Sequence, residues 1–313
     1  MTIMKKLILP AALITVCAVI VVIVSCEKDN MLIKDGAVRF TSEGTTATQT
    51  RVAIDPQDKS VWEKADPVGI YMVKHGTSDV LDNAENMKYT ASEAGLSTSF
   101  APAVQAIYYP LDETEKVGFI AYHPYRATVS DFVYPVDVSN QASQTNIDLM
   151  WAAADKQGAG YSKEDGRNNT SVDLAFDHQL AKLRMNVTKD SNVPGKIVKV
   201  SINGMNTTAS FDLKGSGGFT GMGNAKSFEA CTVTAGSVYE AILLPVGPLD
   251  ATHTVTFTTD QNETYTWSMY KQIAELKTGK IYTYDITVAK YIIEVTGNIN
   301  SWTVGATGTG NAE

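Results

Sequence analysis

Cysteine is scarce in this chain, with three copies in 313 residues. Cys17 lies inside an apolar N-terminal run and Cys26 lies two residues after its end, so Cys231 is the one cysteine in the rest of the sequence. No disulfide is therefore expected within that larger part. A chain of this length can bury a core that holds a fold without covalent cross-links.

The sequence also lacks the side-chain arrangements that carry most enzyme chemistry. None of its four histidines, His75, His123, His178 and His253, has a second ligand type at a spacing that favours zinc. No Gly-x-Ser-x-Gly nucleophile elbow occurs. We expect no catalytic residues, no metal, no cofactor, and a protein that is not an enzyme. A hydrolase built on two carboxylates stays open, because such a pair need be close only in space.

One glycine-rich stretch, GSGGFTGMGN at Gly215–Asn224, lacks the spacing of a phosphate-binding loop. A dinucleotide-binding loop would need a third glycine at position 220, where Thr220 stands. No Gly-Lys-Ser/Thr ending follows either. The stretch is therefore predicted to be a flexible loop rather than a nucleotide site.

Positive charge is also in short supply. The formal net charge is -8 and the sequence pI is near 5.1. Basic residues form no stripe interleaved with aromatic residues. Nucleic acid is therefore not an expected partner.

The N-terminal residues have the order of a secretory signal, with Lys5 and Lys6 before the apolar run Leu7–Val24. A membrane-spanning helix, which needs about 20 apolar residues, is the alternative. The end of the run, Ile23-Val24-Ser25-Cys26, matches a bacterial lipobox, in which the thiol takes a diacylglycerol. We predict a signal peptide at 1–25, lipid attachment at Cys26 and anchoring in the outer membrane through lipid, since about two acyl chains give stable binding.

Past Cys26 the apolar residues repeat with a period of two, which is typical of strands rather than helices. The clearest case is VGFIAYHPY, with Val117, Phe119 and Ala121 on one face and Ile120 and Tyr122 on the other. HTVTFTTDQNETYTWSM predicts a hairpin that turns at Asp260-Gln261-Asn262. The fold is predicted to be all-β, with antiparallel β-sandwich domains at 52–170 and 171–290. One larger sandwich, with the polar stretch Asp155–Thr170 as an internal loop, is the alternative.

Several phrases along the chain, in this order, resemble the fimbrillin-like family, whose members are subunits of type V pili. They are the lipobox, AVRFTSEGTTATQTRVAID, WEKADPVGIYM, VGFIAYHPY, DLMWAAA, VDLAFDHQLAKLRMNV, LKTGKIYTYDITV and IEVTGNINSWTVG. The resemblance runs from Cys26 to nearly the C-terminus. It implies two tandem transthyretin-like β-sandwich domains, export as a lipoprotein, cleavage after an arginine by an outer protease, and polymerisation with other pilin subunits by donor-strand exchange.

The resemblance directs attention to Arg51 in TATQTRVAID. Small polar neighbours favour an exposed, cleavable loop, so the bond between Arg51 and Val52 is the predicted cleavage site. An uncut surface arginine is the alternative, and Arg39 is a poorer candidate because it interrupts a predicted strand. Cleavage would remove a lipidated leader, residues 26–51, together with a first strand in which Val38 and Phe40 face the core.

The C-terminal segment, residues 291–313, is the predicted donor strand under the same resemblance. Its apolar residues are Ile293, Val295, Ile299, Trp302 and Val304. Because Trp302 and Val304 have the opposite parity to the others, a bend or bulge is expected at Gly297 or at Asn300-Ser301. The alternative is an ordinary last strand of the second domain.

These expectations together describe a structural pilin of a type V fimbria that supports adhesion. It starts as an outer-membrane lipoprotein precursor and ends in a cell-surface fimbrium, where a cleavable leader and an apolar tail favour a shaft subunit. The rival prediction is a monomeric, lipid-anchored glycan-binding protein. That protein would stack sugars on exposed aromatic side chains such as Trp62, Trp151 and Tyr161.

Overall fold

Strands dominate the chain, as the period-two pattern predicts. The computed structural model describes residues 36–43, 53–54, 60–215, 218–290 and 293–302. All of these belong to one compact unit, Asp35–Glu313. Among them, no helix is both long and apolar enough to cross a membrane.

The strands are β1 Arg39–Ser42, β2 Ala53–Ile54, β3 Ser60–Val61, β4 Pro67–Lys74, β5 Met87–Ala91, β6 Thr98–Pro102, β7 Val117–His123, β8 Val133–Asp137, β9 Met150–Ala154, β10 Ser171–Asp173, β11 Asp177–His178, β12 Ala181–Lys189, β13 Ile197–Met205, β14 Thr208–Asp212, β15 Phe219–Gly223, β16 Lys226–Glu229, β17 Cys231–Thr234, β18 Val238–Leu243, β19 Thr254–Thr259, β20 Thr264–Ser268, β21 Lys280–Val288 and β22 Ile293–Ser301. One short α-helix, α1, spans Lys163–Arg167, and single 3₁₀ turns span Gln144–Asn146 and Met269–Lys271.

The first half of the chain builds an eight-stranded sheet in the order β10-β1-β6-β5-β4-β7-β9-β11. All side chains of β7, near its centre, are buried. Val117, Phe119 and Ala121 belong to one apolar core, whereas Ile120 and Tyr122 belong to another on the opposite face. The predicted alternation in β7 is thus confirmed, and it shows that both faces of this sheet are covered.

The second half contains a five-stranded sheet, β17-β18-β12-β21-β22, and a four-stranded sheet, β16-β13-β19-β20. Leu183 and Tyr282 of the first sheet share one core with Val200 and Phe257 of the second. Two sheets packed through interdigitating inner faces form a sandwich. The predicted hairpin is β19–β20, with Val255 opposite Trp267.

Two strand pairs depart from the antiparallel prediction. β1 lies parallel to β10, and β12 lies parallel to β21 from Lys182 opposite Ile281 to Lys189 opposite Val288. Parallel neighbours need a long connection between them. Here strands β13–β20 form the connection between β12 and β21, which local periodicity does not reveal.

A third core and a three-stranded sheet join the two halves. The sheet has the order β15-β14-β8, so β8 from the first half pairs with β14 from the second. Buried Gln141 also crosses the join, because its side chain exchanges two hydrogen bonds with the backbone of Ile242, at 2.8 and 2.9 Å. The prediction that the glycine-rich stretch is a flexible loop is partly wrong, because Phe219–Gly223 forms β15 and pairs with β14.

The polar stretch near the predicted domain boundary packs on the first half. Tyr161 pairs with Val117 through two backbone hydrogen bonds of 2.8 and 2.9 Å, and α1 follows it with a capping box formed by Ser162 and Asp165. β10 and β11 extend the eight-stranded sheet to His178, beyond residue 170. The division into two domains at that residue stays a prediction.

Candidate functional site

The predicted first strand contains Phe40 and lies inside the eight-stranded sheet. β1 pairs antiparallel with β6, where Phe40 lies opposite Phe100, and parallel with β10, where Phe40 lies opposite Val172. Val38 precedes the strand and donates its backbone N–H to the carbonyl of Ile107 at 2.9 Å. A strand of four residues therefore has hydrogen-bonding partners on both sides.

The side chain of Phe40 is central to the first core. It is 1% exposed, and its ring meets the rings of Tyr89 and Phe119 edge-on, with centroids 5.2 and 5.1 Å apart. Val38 is buried in the same core. Edge-to-face aromatic pairs add to the energy of burial. Loss of β1 would therefore uncover two large aromatic side chains together with two strand edges.

The predicted cleavage site lies between two paired segments. Arg51 and Val52 are outside the described residues, as are Cys26 and the signal peptide. β1 ends at Ser42, and β2 begins at Ala53 and pairs with β3. Trp62 then fixes the chain, because it is fully buried and exchanges two backbone hydrogen bonds with Gly95, at 2.9 and 3.0 Å. A cut after Arg51 would leave β1 without a covalent link to the rest of the sheet.

The C-terminal segment forms β22, an edge strand of the five-stranded sheet. It pairs antiparallel with β21 in unbroken register, from Ser301 opposite Lys280 to Ile293 opposite Val288. The expected bulge is therefore wrong at both predicted places, Gly297 and Asn300-Ser301. A Cβ at Gly297 would lie 2.2 Å from the ring of Tyr284, so glycine here admits an aromatic ring over the backbone.

The predicted donor residues have very different surroundings in the chain itself. Val295 is partly buried against the second core, whereas Ile299 is 55% exposed. Trp302, directly after β22, is buried in the core that joins the two halves. For Ile293 only the backbone is described, and Val304 lies outside the described residues.

Trp302 makes contacts that the sequence did not reveal. Its ring stacks on His178 with centroids 3.8 Å apart and planes 7° apart, and Nζ of Lys182 lies 5.8 Å from the ring centre. His178 in turn donates through Nδ1 to the carboxylate of Asp148 at 2.9 Å. Buried Lys182 forms an ion pair with buried Glu240 at 2.7 Å. These residues come from four parts of the sequence, in which His178 and Lys182 alone are near each other, and no local pattern indicates that they meet.

The remaining titratable and aromatic candidates are mostly buried. Burial lowers the pKa of His123 to about 4, although Nδ1 donates to the carbonyl of Pro67. Among the described residues, no group of three or more histidine, cysteine or acidic side chains could hold a metal ion.

Trp62 and Tyr161 are buried rather than exposed. Trp151, half-buried, donates its indole N–H to the carbonyl of Leu213. Trp62 and Tyr161 therefore present no exposed ring for the sugar stacking that the rival prediction needs, whereas Trp151 keeps part of its surface exposed.

Comparison with known proteins identifies the family. The model of the fimbrillin-like family matches residues 50–302. The chain belongs to the fimbrillin-like family. A curated relative, the candidate fimbrium subunit Fim1C of Bacteroides uniformis, is 33% identical over 295 residues, which is 89% of this chain and 90% of the relative.

Two solved structures share this fold. A candidate cell adhesion protein from Bacteroides uniformis has 30% sequence identity and a TM-score of 0.69, covering 85% of this chain and 97% of that one. A second, from Bacteroides ovatus, has 18% identity and a TM-score of 0.62 over 86% of this chain and 99% of that one. At 18% identity, the similarity to the Bacteroides ovatus protein shows a shared fold and nothing more.

Proposed function

We propose that this fimbrillin-like chain is a structural subunit of a cell-surface fimbrium, assembled by donor-strand exchange and supporting adhesion. The observation that carries this proposal is the position of β1. It is a four-residue strand in the interior of a sheet, and it lies just before the predicted cleavage site at Arg51.

The gap would demand a replacement strand. Without β1, strand β6 keeps β5 but loses its other partner, and β10 loses the strand that joins it to the sheet. Unpaired strand edges attract other strands. The pocket of Phe40 would also open to water beside Tyr89 and Phe119. Burying one such side chain contributes about 1.5–3 kcal/mol, to which a new ladder of backbone hydrogen bonds adds.

The C-terminal segment has the properties of a donor. Among the described residues β22 pairs with β21 alone, so it can leave its sheet without breaking the sheet apart. Ile299 is an apolar side chain that the chain itself leaves 55% exposed. Burial of Ile299 in a neighbouring subunit would offset part of the cost of ordering the strand there.

Export and processing complete the proposal. The precursor would carry lipid on Cys26 and reach the outer membrane, where a protease cuts after Arg51. Cleavage would free the subunit from its lipid and allow polymerisation with other pilin subunits. Replacement of Cys26 by alanine should abolish labelling of the precursor by a fatty-acid analogue in cells. Labelling that persists in the Cys26→Ala chain would disprove lipid attachment at this residue.

An assembly assay tests the central claim. The chain without its signal peptide is treated with an arginine-specific protease, then examined by N-terminal sequencing and by electrophoresis in SDS. We expect a new N-terminus at Val52 and a ladder of SDS-resistant multimers. The Arg51→Ala chain should show neither. A chain that is cleaved cleanly at Arg51 but stays monomeric would refute donor-strand exchange.

A matched pair of variants tests the donor strand itself. Ile299 in β22 and Val198 in β13 are both 55% exposed, so serine at either position should leave the monomer folded. We expect Ile299→Ser to be cleaved normally but to form shorter or fewer multimers. Val198→Ser should assemble as the unchanged chain does. Equal assembly of both variants would rule out Ile299 as a donor side chain.

A further inference from the structure

Trp302 is the deepest anchor of the C-terminal strand on its own subunit. It follows β22 directly and is 5% exposed, whereas Val295 is partly buried and no side chain from Val295 to Ser301 is fully buried. Its backbone N–H also donates to the carbonyl of Gly279 at 2.7 Å, which closes the connection to β21. The side-chain contacts of β22 are therefore unevenly distributed, because the fully buried aromatic side chain lies at its C-terminal end.

The site that receives Trp302, here called the tryptophan socket, consists of Asp148, His178, Lys182 and Glu240. Asp148 precedes β9, and His178 ends β11 in the eight-stranded sheet. Lys182 and Glu240 belong to β12 and β18 in the five-stranded sheet. The socket thus lies where the two halves of the chain meet, and the indole ring packs between them.

The four side chains of the socket form ion pairs or hydrogen bonds with one another that do not involve Trp302. His178 is paired with Asp148 at 2.9 Å, and Lys182 is paired with Glu240 at 2.7 Å. Arg184 lies 3.1 Å from the same Glu240 carboxylate. The ring can therefore leave without stranding an unpaired charge, which would otherwise oppose its departure.

The indole ring itself is incompletely satisfied when docked. Its Nε1–H has no hydrogen-bond partner among the described residues, and neither has Nε2 of His178 beneath it. A buried donor without an acceptor opposes burial and regains hydrogen bonds with water when it is released. Stacking and burial favour docking, whereas the unsatisfied donor favours release, so the contact is suited to reversible use.

We propose that the tryptophan socket is an intramolecular docking site that holds the C-terminal strand on its own subunit until exchange. Departure of Trp302 frees the end of β22, after which the strand can separate from β21. The docking claim concerns the isolated subunit, whereas its effect on assembly rests on the proposed function. The socket therefore regulates when a donor strand becomes available.

Hydrogen exchange of the uncut monomer tests the docking claim. His178→Ala alters the socket but leaves the tail sequence intact, and Trp302→Ala removes the docked ring. In both, we expect backbone amides of β22 to exchange on the order of tenfold faster or more, whereas those of β12 and β18 keep their protection. Trp302→Phe, which retains a ring, should lie closer to the unchanged chain.

A second histidine provides the matched control. His253 pairs with Asp250 at 2.9 Å, as His178 does with Asp148, but it lies in the loop before β19. His253→Ala should leave the exchange of β22 unchanged. Unchanged protection of β22 in both His178→Ala and Trp302→Ala would overturn the proposal. A uniform rise across all sheets would overturn it as well, because it would reveal only general destabilisation.

Assembly of the arginine-cleaved chain separates this proposal from the proposed function. With its tail sequence unaltered, the His178→Ala chain should form multimers faster than the unchanged chain. Faster exchange of β22 together with no multimers from either chain would support the socket and refute the proposed function. Faster exchange of β22 with an unchanged rate of assembly would refute control of assembly by the socket.

Discussion

The first and last described strands of this protein are opposites in how the fold holds them. β1 has four residues, pairs on both sides and buries Phe40 among aromatic rings. β22 has nine residues, pairs on one side and leaves Ile299 largely exposed. The longer strand is therefore the more detachable of the two, because paired edges and buried area matter more than length.

This difference suits an exchange of strands between subunits. Loss of the displaced strand must leave a gap whose free-energy cost favours binding of a replacement strand. The interior position of β1 meets that condition. A strand that is donated must leave its own subunit intact, and the edge position of β22 meets that one. Under the proposed function, opposite positions in two sheets would thus provide an acceptor and a donor within a single chain.

The largest effect should come from truncating the side chain of the first strand. Phe40→Ala removes a ring that is 1% exposed and leaves a cavity beside Tyr89 and Phe119. We expect the free energy of unfolding to fall by about 3–5 kcal/mol. Denaturant titration measures it, with Ile299→Ala in β22 as the control that should change stability by about 0.5 kcal/mol or less. Equal losses in the two variants would contradict the comparison.

Acid should loosen the first half of the chain through His123, at the end of β7. Burial lowers the pKa of His123 from 6.5 to about 4, so the folded state binds a proton less readily than the unfolded state. Its stabilising contribution is present above about pH 6.5 and is lost as the pH falls through about 4, up to about 3 kcal/mol. The unfolding free energy measured between pH 7 and pH 4 should fall less in His123→Gln. An identical pH dependence in that variant would exclude His123 as the cause.

A smaller loss of stability should test the register in which β22 pairs with β21. Gly297→Ala places a Cβ against the ring of Tyr284, and we expect a loss of about 1–3 kcal/mol from the crowding. Thr296→Ala, at the exposed neighbouring position, serves as the control and should be nearly neutral. Thermal unfolding compares the two variants. A neutral Gly297→Ala chain would mean that β22 does not hold this register on β21 in solution.

Local periodicity predicted the strands and their buried faces well. The two faces of β7 and the hairpin β19–β20 follow directly from alternating apolar residues, because a pleated strand turns successive side chains to opposite sides. The family was recognised from phrases spread along the chain, and the match to residues 50–302 confirms it. These features depend on residues that are neighbours in the sequence.

Features that depend on distant residues escaped prediction. The parallel pairing of β12 with β21 follows from partners far along the chain. The strand β15 pairs with the preceding strand β14, but its glycine-rich sequence lacks the alternation that would have predicted it. The parity change at Trp302 suggested a bulge at Gly297, but β22 keeps its register and Trp302 turns into a core beyond the strand. No local pattern distinguishes these outcomes.

Taken by itself, the sequence determined an all-β fold, the faces of its strands and its family, because side-chain alternation and short motifs act over a few residues. Only the tertiary structure decided that β1 is interior, that β22 is an edge, and that Trp302 docks on His178. Strand order and core contacts depend on which distant segments exclude water together, and the chain settles that choice only when it folds as a whole.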